Sequence, residues 1–262
     1  MPLTLIQQQI LNLLAKHRNP ENYLAGATVL HRMPTSPRYS QDLDYFHDVE
    51  DRVAGSAAID AEVLRQSGYE VEWVLRTPTF HRAVVLKADQ QVKIEWAVDT
   101  AFRFFPVEQD ELSGFRLHPV DAAINKVLAL AGRQEIRDFV DTLYVHKTIL
   151  SLGALVWAAC GKDPGYTPEM LIDQMARHTA YTEADLARLE LAHPLQLTDM
   201  KRQWLTAREQ AMQLIFLLPE NELGCLYLDD KLMPVTPDPK AAVFKTLIRH
   251  QGSLKGAWPV FR

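Results

Sequence analysis

Along the first hundred residues the apolar positions switch between two periods, and each switch marks an element. Ile6, Ile10, Leu13 and Leu14 recur at helical spacing, so roughly the first 17 residues predict an amphipathic helix that Pro20 ends. Tyr23-Leu24-Ala25 predicts a short strand running into Gly26, where the chain can turn tightly. Residues 27–32 predict a second helix stopped at Met33-Pro34, and residues 35–40 have loop chemistry. Residues 43–46 predict a strand, and Asp48 is placed to cap a helix over 49–66 that Gly68 closes. Strands follow at 70–76, 80–87 and 91–99, and the turn at Ala88-Asp89-Gln90 makes the last two antiparallel neighbours. In the last of them Val92, Ile94, Trp96 and Val98 fall on one face, with Lys93, Glu95, Ala97 and Asp99 on the other.

After Phe105-Pro106 the period becomes helical. Pro119 leads into Val120, Ala123, Ile124, Val127, Leu128 and Ala131, ending at Gly132, and Ile136, Phe139, Val140, Leu143 and Tyr144 continue the spacing. Helices are predicted again over 168–178, 182–191 and 198–217. A strand-like piece at 224–228 turns at Asp229-Asp230, and 241–250 predicts a last short helix. The class is therefore α+β: a mixed sheet flanked by helices over residues 1–112, then a mainly helical region over 113–262.

Composition narrows the partners more than the fold. With 28 Lys+Arg against 33 Asp+Glu the net charge is −5, which argues against a whole-surface nucleic-acid binder and leaves room for a local basic patch. Two cysteines, Cys160 and Cys225, make no disulfide framework, and Cys160 reads as core. No apolar run approaches the ~20 residues of a membrane span, and the opening residues have no export leader, so a cytoplasmic protein is expected.

Asp42 and Asp44 stand two apart on a predicted strand, so both carboxylates leave the same face. Acids held that close repel until a proton or a cation relieves them, and paired carboxylates suit Mg²⁺, with Mn²⁺ as an alternative. An acidic, solvated turn is the plainer reading of Asp-x-Asp, but Leu43 and Phe46 imply a buried strand, where such a pair needs compensation. Glu95 offers a third carboxylate, with Asp99 as the fallback. Lys126, Arg133 and Arg137 would share one stripe of an uninterrupted helix, while Asp138 suits a structural place in a first turn. Arg38 and Ser40 precede the acids in a loop where they could touch phosphate or shape the turn. Trp157, Trp204 and Trp258 are expected in the core.

Gly26-Ala27-Thr28, followed by Arg38-x-Ser40-x-Asp42-Leu43-Asp44, resembles the signature of the DNA polymerase beta-like nucleotidyltransferases, and more narrowly the AbiEii abortive-infection toxins. Asn125-Lys126-Val127-Leu128-Ala129-Leu130, then Arg137-Asp138-Phe139-Val140-Asp141, is similar to that family's second helix pair. The resemblance implies transfer of a nucleoside monophosphate from an NTP to an acceptor hydroxyl, suggests the 3′ end of tRNA as acceptor, and implies a cognate antitoxin. It assigns Asp42, Asp44 and Glu95 to Mg²⁺ and catalysis, and Gly26, Ala27, Thr28, Arg38, Ser40, Lys126 and Asp141 to the nucleotide. Residues 113–262 would then complete the nucleotide site and receive the acceptor. Ala27 departs from a common second Gly and Glu95 from a commoner Asp. A degenerate member acting as a nucleotide-binding or regulatory module is the alternative. Asp-x-Asp phosphatases fit less well, because Phe46 stands where they have Ser or Thr, and Asp-x-Asp glycosyltransferases give no reason for Gly26 or Lys126.

Overall fold

The computed structural model describes residues 3–33, 35–177 and 180–260. In chain order the elements are α1 (Leu5–Leu14), β1 (Asn22–Ala25), α2 (Gly26–Leu30), β2 (Asp42–His47), α3 (Glu50–Gln66), β3 (Glu70–Arg76), β4 (Phe80–Lys87) and β5 (Gln90–Val98). Three short strands follow, β6 (Phe102–Arg103), β7 (Glu108–Asp110) and β8 (Gly114–Arg116). The helices α4 (Pro119–Gly132), α5 (Ile136–Thr148), α6 (Leu152–Lys162), α7 (Pro168–Arg177), α8 (Glu183–Leu186) and α9 (Leu197–Leu217) come next. The chain ends through β9 (Cys225–Leu228), β10 (Ile248–Gln251) and β11 (Ser253–Leu254). Pro34 and His178, expected to end two helices, lie outside the described residues. Contacts divide the chain into two units, Met1–Ala101 with Pro106–His118, and Phe102–Phe105 with Pro119–Arg262.

The first unit is a seven-stranded mixed sheet in the order β3-β4-β5-β2-β1-β8-β7. β2 runs parallel to β5 and antiparallel to β1, and β8 lies parallel to β1. Alternation along β2 sends Leu43, Tyr45 and His47, all fully buried, to one face. Val92, Ile94 and Trp96 of β5 join them under α1 and α3, whose Ile10, Leu11, Leu14, Val53, Ala57 and Leu64 complete the core. A buried polar lock crosses this core. Trp96 Nε1 donates to Asp60 at 2.7 Å, Asp60 also pairs with the Arg18 guanidinium, and Arg18 lies 4.2 Å over the Tyr45 ring. His47 shares this interior, where burial, with the Arg18 charge adding to it, pushes its imidazole down to about 4.

Asp48 does not cap α3. The cap residue is Val49, Asp48 accepts a hydrogen bond from Tyr23 Oη at 3.2 Å, and Glu50 and Asp51 supply the negative charge of the first turn.

The second unit packs α4, α6, α7 and α9 around a core that includes Leu155, Trp157, Leu171 and Trp204. Asp121, in the first turn of α4, accepts from the backbone N–H groups of Phe104 at 2.8 Å and Phe105 at 3.0 Å. Burial lifts its carboxyl to about 6 although these two donors favour the charged form. The helix expected over 241–250 is instead a 3₁₀ turn, Ala242–Thr246, followed by β10, which pairs antiparallel with β9. Val243, Phe244, Leu247 and Ile248 imitate a helical stripe, and only the distant partner strand decides against it. The helix expected over 182–191 shrinks to α8, one turn set by the Thr182–Asp185 capping box. Trp258 is not core: it is 55% exposed, its ring 6.0 Å from Phe105. Among the described residues no single helix is long and apolar enough to cross a membrane.

Candidate active site

On the sheet face away from α1 and α3, strand register sets the acids side by side. Asp44 pairs with Glu95 and Asp42 with Lys93 across the parallel β2–β5 ladder, and Arg82 of β4 pairs with Glu95 from the other side. One row therefore reads Arg82, Glu95, Asp44, Ala25, and the next reads Val84, Lys93, Asp42. Adjacent carboxylates in one row repel, and two cations offset them. Lys93 Nζ lies 3.0 Å from Asp42 Oδ2 and 3.1 Å from Glu95 Oε1, and Arg82 Nε lies 2.9 Å from the same Glu95 oxygen. Asp99, the fallback acid, stands at the far end of β5, where its N–H donates to the His47 carbonyl at 3.0 Å.

Asp44 ends beside the turn from β1 into α2. Gly26 has φ +66°, a left-handed conformation, and a side-chain carbon there would overlap the Asp44 carboxylate. Thr28 and Ser40 are buried and brace β2 from beneath. Thr28 Oγ1 lies 2.7 Å from the Asp42 carbonyl and 3.0 Å from Ser40 Oγ, while Ser40 Oγ donates to the same carbonyl at 3.1 Å. Gln7 of α1 donates to the Ser40 carbonyl at 2.6 Å. Arg38 is also buried, and its Nη1 donates to the Tyr39 carbonyl at 3.0 Å. These hydroxyls set where the first acid stands; solvated loop chemistry does not describe them.

The second unit holds a separate charged cluster. Lys126, 7% exposed, places Nζ 3.0 Å from Asp138 Oδ1 and 2.9 Å from Asp141 Oδ2, both acids fully buried. Arg133 Nε reaches Asp138 Oδ2 at 2.7 Å. Burial alone would raise the Asp138 carboxyl, but Lys126 and Arg133 outweigh it and hold it below the ordinary carboxylate range. α4 ends at Gly132 and α5 begins at Ile136, so Lys126, Arg133 and Arg137 share no single helical stripe. The break lets Arg133 fold back onto Asp138, which is an ion-pair partner of Lys126 and more than a first-turn acid.

Sequence reasoning did not single out Lys93, Arg82 or Asp138 as partners of the acids and of Lys126. The alternation of β5 already put Lys93 on the Glu95 face; the missing information was which strand lies alongside. Among the described residues no three His, Cys, Asp or Glu side chains form a ready-made metal cluster. That does not disfavour Mg²⁺, which usually takes one or two carboxylates and completes its shell with water and substrate phosphate. Asp42, Asp44 and Glu95 are hard oxygen donors, and an ammonium already drawn between two of them marks the spot as attractive to a cation.

No family model and no curated protein matches the sequence. Among solved structures, MenT4, a nucleotidyltransferase toxin from Mycobacterium tuberculosis, is similar with a TM-score of 0.56 at 16% identity, covering 82% of this chain and 83% of that one. A Helicobacter pylori protein provisionally assigned as a nucleotidyltransferase is similar with a TM-score of 0.51 at 18% identity, covering 83% of this chain and 100% of that one. At such identity the likeness speaks for the fold: the chain has the α+β fold of these nucleotidyltransferases, a mixed sheet followed by a mainly helical region.

Proposed function

We propose that this chain is a Mg²⁺-dependent nucleotidyltransferase of AbiEii type, acting in the cytoplasm as the toxin of a toxin–antitoxin pair. The carrying observation is the register that sets Asp44 beside Glu95 and Asp42 beside Lys93, next to the turn at Gly26, in a fold shared with MenT4. The acceptor oxygen attacks the α-phosphorus of an NTP, the bond to the bridging oxygen breaks, and pyrophosphate leaves with that electron pair. Glu95 receives the acceptor's proton, and Asp42 and Asp44 would hold the divalent ion. When bound, the ion neutralises phosphate charge as it builds on the leaving group. Gly26 and Ala27 let the phosphates approach the backbone, while Thr28, Ser40 and Arg38 fix the loop that carries Asp42. Lys126, oriented by Asp141, is assigned to the triphosphate, and residues 113–262 to completing the nucleotide site and receiving the acceptor. The acceptor hydroxyl we favour is the 3′ end of tRNA, a choice supported by the motif resemblance.

The test is label transfer from each of four α-labelled NTPs to total tRNA with Mg²⁺, for wild type and for Asp42→Ala/Asp44→Ala. Label on RNA from the wild type alone is expected, and the NTP that carries it is the donor. The competing reading is a nucleotide-binding remnant, favoured by the cation already seated between Asp42 and Glu95. It predicts an NTP-dependent thermal shift that survives Asp42→Asn, with no label transferred to any acceptor.

A further inference from the structure

We infer that Lys93 is a built-in counter-cation that keeps the acid site from loading a divalent ion until the triphosphate arrives; this rests on the nucleotidyltransferase reading above. Its ammonium bridges Asp42 Oδ2 and Glu95 Oε1, one carboxylate assigned to the ion and the one assigned to the acceptor's proton. The backbone that presents it is fixed on both sides, because β5 pairs with β2 at Lys93–Asp42 and with β4 at Lys93–Val84. The side chain itself is 30% exposed, so its head can swing while its root stays put. Arg82 of β4 holds the same Glu95 oxygen from the other side, at 2.9 Å.

A divalent ion approaching Asp42 in the empty site meets a like charge seated on the same oxygens, and repulsion over so short a distance weakens its binding. An incoming triphosphate changes both sides of that competition. It brings oxygens that complete the metal's shell and negative charge that draws the ammonium off Asp42. Lys93 is therefore a positioning residue: it couples metal occupancy to nucleotide occupancy, so the two enter together. This gives the empty enzyme little affinity for free divalent ions and protects it from idling in a metal-loaded state.

The experiment is Mn²⁺ binding by electron paramagnetic resonance, with and without a non-hydrolysable NTP, for wild type, Lys93→Met and Lys93→Arg. Without nucleotide, Lys93→Met should bind Mn²⁺ about tenfold more tightly than wild type or more, as removal of one adjacent like charge predicts. With nucleotide the gap should close to within about threefold, because the ammonium has then left the acids in the wild type. Lys93→Arg keeps the charge and should match wild type in both conditions. Equal or weaker binding by Lys93→Met without nucleotide overturns the inference and leaves Lys93 as a cross-strand pair that steadies the sheet. Lys93→Gln, one bond shorter and uncharged, gives the same readout should the Met variant fail to fold. Wild-type label transfer without any Mn²⁺ contrast sinks the role of Lys93 alone; a Mn²⁺ contrast without transfer to any acceptor sinks the enzymatic reading alone.

Discussion

At Gly26 the backbone turns with φ +66°, and the space a methyl group would need is taken by the Asp44 carboxylate. The two residues constrain each other: the turn sets where the carboxylate rests, and the carboxylate forbids any side chain at the turn. Gly26→Ala is expected to cost roughly 1–2 kcal/mol in stability from the left-handed backbone alone. Its larger effect is displacement of Asp44, and a shift of about 1 Å in a metal-holding carboxylate should lower label transfer about 100-fold or more. Thermal melting and the transfer assay on the same preparation separate the two; a variant that melts lower but transfers normally would show that Asp44 tolerates the shift. At this scale the sequence was informative. Gly26, Asp42, Asp44 and Glu95 stood out because each belongs to a pattern of two or three neighbours. Lys93 did not, and Asp138 was legible only as a first-turn acid, because what gives them meaning is a partner on another strand or helix.

Between elements, short polar ties do what periodicity does not reveal. Asp121 joins the first turn of α4 to the strap at Phe104 and Phe105 with two backbone hydrogen bonds, in a fully buried setting. Its carboxyl stands at about 6 in the folded chain against 3.8 when exposed. A folded value raised in this way means stability that is fully present below about pH 4 and is lost as pH rises through 6. The span corresponds to roughly 3 kcal/mol. Urea unfolding should accordingly show wild type exceeding Asp121→Asn by more at pH 4 than at pH 7, and the reverse order would refute the assignment. The strands β2 to β5 were legible because each is at least six residues long and rich in aliphatic and aromatic side chains. β7 and β8, three residues each, are too short to carry a period, and β10 hides inside a stripe that would serve a helix equally well. What placed them is pairing: β8 exists because β1 has an open side, and β10 because β9 does.

Across the whole chain the polypeptide passes between the two units three times, after Ala101, after Phe105 and after His118. Each unit thus contains a piece of chain bracketed by the other. β6 within the strap pairs with β11 near the end of the chain, and β8, just before α4, completes the sheet begun by β1. A protease cut in the turn at residues 111–113, between β7 and β8, leaves both ties intact, and each then joins a strand of one fragment to a strand of the other. The two fragments should stay together on size-exclusion chromatography under native conditions and part only in denaturant. Fragments that separate without denaturant would mean that these strand pairings contribute little to holding the chain together.

The same interleaving bears on how such a chain can diversify. A protein whose parts meet at one junction can exchange either part by a single recombination event. Here one crossover anywhere between residues 101 and 119 would hand the recipient a sheet lacking its seventh-strand neighbourhood or a helical region lacking its strap. Shuffling either part intact takes three crossovers, so the sheet and its helical companion are expected to have been inherited as one piece, and chimaeras built from relatives should be designed with joints after Ala101, Phe105 and His118.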